Sequence, residues 1–489
     1  MPHSRVPQTV GRVGLASALL ATAAACSARE LLTDDPAEVQ RLSGEAAPGD
    51  EIVLRDGVYQ RADILFTAEG TAERPVVLRA ETPGGVVVRG ESRLRIGGEH
   101  AVVSGLVFDR AFNGDHLVVF REDSKRLARR CRLTDCVLVD CNPRDPSDES
   151  RWVSLYGEHN RIDHCRIEGK TTKGTTVAVF LGDGPARHRI DHNLFGPRPD
   201  FGRNGGETIR VGDSGSSQVS AMVRVDHNLF VECNGEAEII SSKSCENRYD
   251  SNAFLRCSGA LTLRHGDRCR VEGNWFLGEE ADGSGGVRIT GEGHRVVNNY
   301  FSALRGDDHR AALSIMRGQA DDPQKGYAPV RGAVVAYNTF VDCEETLVVG
   351  LADDDVRARA VPEGCTIANN LIVSRHTPVD LRSRVEGFSW CGNLIESEAE
   401  PHEANGLTPI DDAGLRRDSE GLWRLKPGSP AVDAADPIVE AEHDIFGHRR
   451  EPPADVGCEE LRPNRHDDGP IGREAVGPTW SRKQPDAAS

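Results

Sequence analysis

A short motif returns along this chain at an interval too long for a heptad and too short for a domain. It reads DHNLF at Asn193, DHNLF at Asn228, DSNAF at Asn252, EGNWF at Asn274, VNNYF at Asn299, AYNTF at Asn338, ANNLI at Asn370 and CGNLI at Asn393. Most neighbouring asparagines are separated by little more than twenty positions, and a few intervals are longer. A base period in the low twenties with occasional insertions is the signature of a solenoid. Leucine-rich repeats share the period, but their dense leucine framework is absent. Short β-branched strands such as Ile209 to Val211 recur instead between turn residues. The pattern predicts an all-β chain folded as a single-stranded right-handed parallel β-helix with end caps, each coil supplying about three strands. Asparagine belongs at a bend of each coil, where it tolerates the left-handed conformation and its amide bonds to the asparagine of the next coil. The ladder is then structural and stands apart from any active site.

Solenoids grow by adding coils, so 489 residues need not divide into several domains. Residues 27–462 read as one β-helix domain. The stretch from Pro36 to Val107 alternates strand and turn (DEIVLRDGVY, RPVVLRAE, GVVVRG, AVVSGLVF) and supplies the first coils. Leu31 to Leu42 is expected to cap the N-terminal end. The segment from LKPGSPAVDAAD through GHRREPPADVGCEEL is expected to cap the C-terminal end, since exposed sheet ends invite strand pairing. Residues 463–489 are charged and proline-rich and read as a disordered tail. Residues 1–26 have the layout of a signal peptide: Arg5 and Arg12, an apolar stretch from Val13 to Ala25, then Cys26. That stretch is too short for a permanent membrane span and implies export. Ala23 to Ala25 ahead of Cys26 fit either ordinary cleavage or lipoprotein processing, the second giving membrane attachment through a lipidated Cys26.

The net charge of −18 argues against nucleic acid as a partner. An anionic substrate would be repelled at long range, so its site must be a local cluster of Arg, Lys and bound cation. Of 13 cysteines, Cys233 and Cys257 are separated by one base period of the repeat, as are Cys245 and Cys269. That spacing stacks them on neighbouring coils as small buried side chains, with disulfides the alternative. Cys131, Cys136 and Cys141 lack the paired spacing of a zinc site.

Chemistry-bearing residues crowd between Asn204 and Arg288, in NGGETIRVG, NGEAEIISSKS, LTLRHG and GGVRITG. Lys243 and Arg264 are separated by close to one base period, and so are Arg264 and Arg288, so they fall near one another on consecutive coils. Glu236 and Glu238, two apart on a strand, would place both carboxylates on one face. Like charges that close need neutralising, and a hard cation with oxygen ligands would do so, the Asn204 amide completing the protein's share. An isolated Glu-x-Glu is more often a solvated acidic face. A lysine a short step further along the chain and arginines on the next two coils weigh against that reading here.

These motifs resemble polysaccharide lyase family six, which contains chondroitinase B and many alginate lyases. The resemblance covers PGDEIVLRDGVY and GTAERPVVLRA near the start, the four central motifs, and SPAVDAA with ADVG near the end. It implies that Asn204, Glu236 and Glu238 hold Ca2+, with Glu207 behind the metal. It also implies that Lys243 is the general base, that Arg264 is the general acid, and that His265 and Arg288 bind substrate carboxylates. The physical logic agrees. Removing the C5 proton of a uronate builds negative charge onto its carboxylate, which a divalent cation stabilises. Arginine does not readily give up a proton, so Arg264 either donates to the leaving O4 or stabilises it while water supplies the proton. His192 and His227 read as turn residues packed along the ladder, and Arg295 and Arg305 as surface charges.

The expected function is cleavage of uronate-containing anionic polysaccharide by calcium-assisted β-elimination, with alginate first and dermatan or chondroitin sulfate second, a ranking that rests on the resemblance. A uronan C5-epimerase and a non-catalytic carbohydrate-binding β-helix are the alternatives. A hydrolase fits less well, because glycoside hydrolysis wants two carboxylates flanking the bond with one of them protonatable. Insertions at Glu279 to Gly286 and Gly318 to Tyr327 are expected to set the cleavage mode.

Overall fold

The computed structural model describes residues 28–319, 327–352, 358–399, 406–437, 439, 441–462 and 469–481. The signal-peptide reading and Cys26 lie outside them. The described residues form three long parallel sheets of 14, 12 and 14 strands, each taking one strand from every coil in turn. This is the expected parallel β-helix. Among the described residues the one antiparallel strand pair is Leu415–Arg417 with Trp423–Leu425.

Why the chain coils is visible in its interior. The motif asparagines from Asn193 to Asn393 are fully buried. From Asn228 onward each Oδ1 accepts the backbone N–H and the Nδ2 of the asparagine one coil earlier, as from Asn228 to Asn252 at 3.0 Å in both bonds, while Asn193 Oδ1 accepts the backbone N–H of Cys165 at 2.9 Å. Each Nδ2 also reaches a carbonyl of the preceding coil, as from Asn252 to Val225 at 2.9 Å. The amides thereby satisfy backbone groups that a sharp bend would orphan. The left-handed conformation expected of these asparagines belongs instead to the residue before each: His192, His227, Ser251, Asn298, Tyr337 and Asn369 all have φ between 53 and 58°. Keeping the asparagine itself out of the left-handed region points its side chain inward. Two positions later, Phe195, Phe230, Phe254, Phe276, Phe301 and Phe340 stack with ring centroids 4.6–4.8 Å apart.

His164, His192 and His227 stack at the surface end of this corner, centroids 5.0 and 5.1 Å apart, as turn residues should. The twelve described cysteines are free thiols, eleven of them buried. The backbone N–H of Cys233 donates to Cys257 Sγ one coil on, at 3.4 Å. Core packing is therefore their role.

The ends differ in detail from expectation. Glu30–Thr33 is already the first strand, paired with Glu51–Leu54, and the cap proper is the helix Val39–Glu45, which buries Val39, Leu42 and Ser43. The C-terminal segment runs back along the flank of the third sheet. Leu422, Cys458 and Val476 are buried against Leu194, Leu229, Ala253, Trp275 and Tyr300. Residues 469–481, part of the stretch expected to be a disordered tail, are anchored to early coils. Gly477 N–H bonds to His192 O at 3.0 Å, and Thr479 and Trp480 bond to Asp135 at 2.7 and 2.8 Å. The composition hid this because a few apolar residues, Val476 and Trp480 among them, suffice to dock a segment against a surface already apolar.

Candidate active site

The second sheet carries the site. Glu238–Lys243, Gly259–His265 and Ser284–Ile289 are successive neighbours in it, preceded by Ile209–Gly212. Leu261 and Leu263 point into the core, so Thr262 and Arg264 face outward. The register is irregular in two places that matter. Between Glu238 and Ile240 the pairing slips, and both Ile239 and Ile240 enter the core, which leaves Glu238 facing out. A second slip sets Lys243 opposite His265 instead of Arg264. Bulges of this kind re-aim side chains beside functional sites.

The outcome is a cleft of about 470 Å3 lined by Asn204, Glu236, Glu238, Arg264, Arg288 and Tyr327 among others. Arg288 lies opposite Thr262, which lies opposite Ser241. From there its guanidinium reaches Glu238 Oε1, and Arg264 Nε approaches the same oxygen at 3.7 Å. Ser241 donates to the other oxygen. Burial opposes ionisation of Glu238, yet Arg288, the serine hydroxyl, Lys243 and Arg264 together hold its pKa below the ordinary carboxylate value. Glu236 behaves oppositely. Burial and then the charges of Glu207 and Glu238 push it up to about 7, against hydrogen bonds from the amides of Gly205 and Gly206. His265 is held down to about 4, by burial first and then by Arg264 and Lys243. It is neutral at neutral pH, with Nε2 sharing a hydrogen bond of 3.3 Å with Ser214 Oγ.

All seven sequence-predicted residues thus fall on this one face. Glu236 precedes the strand that begins at Glu238, so its place comes from the loop leading in and not from strand alternation. Glu207 is buried behind, near Thr175 at 3.4 Å. Among the described residues no three His, Cys, Asp or Glu side chains converge at metal-ligand spacing.

Sequence reasoning missed two contributors. Tyr327 lies under both arginines, its ring 4.0 Å from Arg264 Cζ, and its hydroxyl accepts from Arg288 at 3.4 Å. It arrives from an insertion whose conformation no local pattern announces. Arg198 is buried and donates to Glu207 O, Thr176 Oγ1, Thr172 O and Gly174 O at 2.7–3.1 Å. It pins the loop that carries Asn204 and Glu207.

The fold is a parallel β-helix solenoid that gathers cations and carboxylates in an open cleft on one sheet. The family model for chondroitinase B matches residues 34–427, and the chain belongs to that family, polysaccharide lyase family six. Among solved structures, the family-six alginate lyase AlyGC is 34% identical with a TM-score of 0.82, covering 94% of this chain and 60% of its own. A mannuronic acid-specific family-six lyase from human gut microbiota is 32% identical with a TM-score of 0.71, covering 78% and 91%. A family-six lyase from Pseudopedobacter saltans, 23% identical with a TM-score of 0.71 over 92% and 99%, shares the fold. The chain thus spans 60% of the length of the AlyGC chain it matches. A search of curated protein sequences gave no match.

Proposed function

We propose that this protein is an exported polysaccharide lyase that cleaves uronate-containing polysaccharide, alginate in the first instance, by β-elimination. The observation that carries the reading is that Lys243, Arg264 and Arg288, from three successive coils, all act on the Glu238 carboxylate. Alginate is favoured over sulfated glycosaminoglycans because the two more similar structures, 34% and 32% identical, are lyases described as alginate-active or mannuronate-specific. Export rests on the layout of residues 1–26. Among the described residues no helix is long and apolar enough to cross a membrane.

In this reading a uronate carboxylate enters between Arg264, Arg288 and neutral His265, whose guanidinium and imidazole donors orient it. Lys243, as the free amine, takes the C5 proton. The C5–H electrons form the C4=C5 double bond while the C4–O4 bond breaks, and the departing O4 takes a proton from the Arg264 side of the cleft, by way of water or the guanidinium. Tyr327 holds the planes of Arg264 and Arg288, so little reorganisation is needed as charge moves.

Asn204, Glu236 and Glu238 offer oxygen donors suited to Ca2+, and the carboxyl of Glu236, whose ionisation is opposed by two neighbouring carboxylates, fits a site completed by a hard cation. A bound cation there would stabilise charge on the substrate carboxylate as a Lewis acid.

The test is the ultraviolet absorbance of unsaturated uronate ends for wild type and Lys243→Ala on alginate, its block polymers and dermatan sulfate, with and without chelator. A rise on alginate that vanishes in the variant supports the reading. No rise on any polymer, with altered uronate composition, would replace it by epimerisation.

A further inference from the structure

The first sheet carries a charged row of its own, on a face of the β-helix apart from the cleft. Arg132, Arg161, Arg189, Arg224, Arg248 and Arg270 stand in register on the strands of successive coils, and Arg295 ends the row. Two positions along the same strands runs a row of acids: Asp163, Asp191, Asp226, Asp250 and Glu272. The residues between them, such as Ile162, Ile190 and Val225, point into the core, so both rows face outward. From Arg132 to Arg295 the row climbs roughly 29 Å, at about 4.8 Å per coil.

The two rows are not equally open to solvent. The side chains of Asp163, Asp191 and Asp226 are 0% exposed, whereas the arginines from Arg132 to Arg224 are 32–43% exposed and Arg270 is 46% exposed. Arg132, Arg161 and Arg189 each grip the aspartate one coil on through Nε and Nη2, at 2.5–2.9 Å. His164, His192 and His227 hold the same three aspartates from the other side through Nδ1, at 2.7–2.9 Å. Neutralising buried aspartates is the structural task of these arginines, and it occupies one edge of each guanidinium. Among the described residues no hydrogen bond or ion pair takes up Nη1 of the three. Further along, Arg248 is exposed and has no ion pair among the described residues. There the segment from Ala441 to Gly447 walls a cleft of about 580 Å3 whose floor includes Arg224, Arg248 and Arg270.

A band of outward guanidinium edges gathers anions on a chain whose net charge of −18 otherwise repels them. The spacing narrows the ligand. One arginine per coil, at about 4.8 Å, is close to one charge per ring of a linear uronan, and a free guanidinium edge matches a carboxylate.

We propose that the arginine row from Arg132 to Arg270 on the first sheet is a second binding surface for linear polyuronate, engaged by the same polymer that is cut in the groove of the second sheet. The choice of uronate rests on the lyase reading; the row as a surface for a linear polycarboxylate does not. A polymer long enough to touch both faces is held at two places at once, which raises its local concentration at the cleft without any new contact there. A trimer gains nothing from the row.

The test uses the full chain carrying Lys243→Ala, which leaves polymer intact, in electrophoresis through gels containing polymannuronate. Adding Arg248→Gln and Arg270→Gln, both at exposed positions, should weaken retention by the polymer about tenfold. With Lys243 present, the same pair should leave turnover of mannuronate trimers unchanged. A second measurement needs no change in the row: phenylglyoxal modification read by mass spectrometry should find Arg132, Arg161, Arg189, Arg248 and Arg270 shielded when polymannuronate is added. Unchanged retention, or arginines left unshielded, would overturn the surface. Equal retention by a sulfated glycan of the same length would overturn its assignment to uronate. Should wild type make no unsaturated product, retention and shielding still decide the matter, because neither needs turnover, and the lyase reading falls alone.

Discussion

Arg288 passes over the strand Gly259–His265 to close an ion pair with Glu238 two coils away. The arginine side chain is 5% exposed and the glutamate 13%, so neither has much water to fall back on. The pair ties three coils together at the cleft, and it sets the charge that the cleft presents.

Removing one partner should therefore strand the other. Arg288→Ala is expected to lower stability by roughly 3 kcal/mol, the usual cost of leaving a buried charge unpaired. The double variant Glu238→Gln/Arg288→Met should cost less than the single one. Chemical denaturation of the three proteins checks this, and an Arg288→Ala curve that overlays wild type would refute it.

The asparagine ladder predicts a second, independent loss. Asn252→Ala deletes the acceptor for Asn228 N–H and Nδ2 and the donors to Val225 and Asn274. About 3 kcal/mol should disappear, since buried backbone groups lose their partners on both sides. The unfolding midpoint measures it, with Asn252→Asp as a variant that keeps the acceptor.

Calcium binding to the folded chain alone would raise its melting temperature by mass action, worth about 2.7 kcal/mol at a hundredfold excess over Kd. Chelator-treated protein should gain stability on calcium addition, and Glu236→Gln should lose most of that gain. Differential scanning fluorimetry reads the shift without any substrate. An identical shift in wild type and variant would move the cation elsewhere.

Buried His188 predicts how acid acts. Its Nδ1 accepts the backbone N–H of Asn160 at 3.1 Å, and burial, then His159, hold its pKa down to about 3 from 6.5. Below pH 6.5 the unfolded chain takes up a proton that the folded chain refuses, so stability present above 6.5 is lost as pH falls toward 3. His188→Asn keeps an acceptor, as Asn160 does one coil earlier for Cys131 N–H, and removes the titration. Its stability should fall less steeply between those limits, by an amount on the order of 4 kcal/mol. Parallel profiles for the two proteins would rule this out.

Most of the fold was legible because a β-helix repeats its stabilising contacts, and Asn193 to Asn393 announce each coil. The clustering of Lys243, Arg264 and Arg288 was legible for the same reason: the coil period converts sequence distance into neighbourhood. What escaped was whatever breaks the period. The slips at Ile239 and Arg264 decide which side chains face out, and they leave no trace in spacing. Tyr327 comes from an insertion, and the C-terminal segment docks on Leu194 and Trp275 across more than a hundred residues of chain. The left-handed residue was misplaced by one because asparagine's tolerance for that conformation is a tendency, while inward aim of its amide is a requirement.

The sequence interval between successive ladder asparagines is shortest from Asn252 to Asn274 and longest from Asn299 to Asn338, yet the phenylalanine rings beside them never stray outside 4.6–4.8 Å. Extra residues leave at the corners, where closing a longer loop costs only logarithmically more. Chain length and molecular pitch are thereby uncoupled. The longest excursion, between Asn299 and Asn338, is the one that delivers Tyr327 to Arg264. An ancestor could lengthen, shorten or exchange the rim of its groove by insertion and deletion while the column beneath kept its step, so divergence in substrate within such a lineage can proceed without renegotiating the fold.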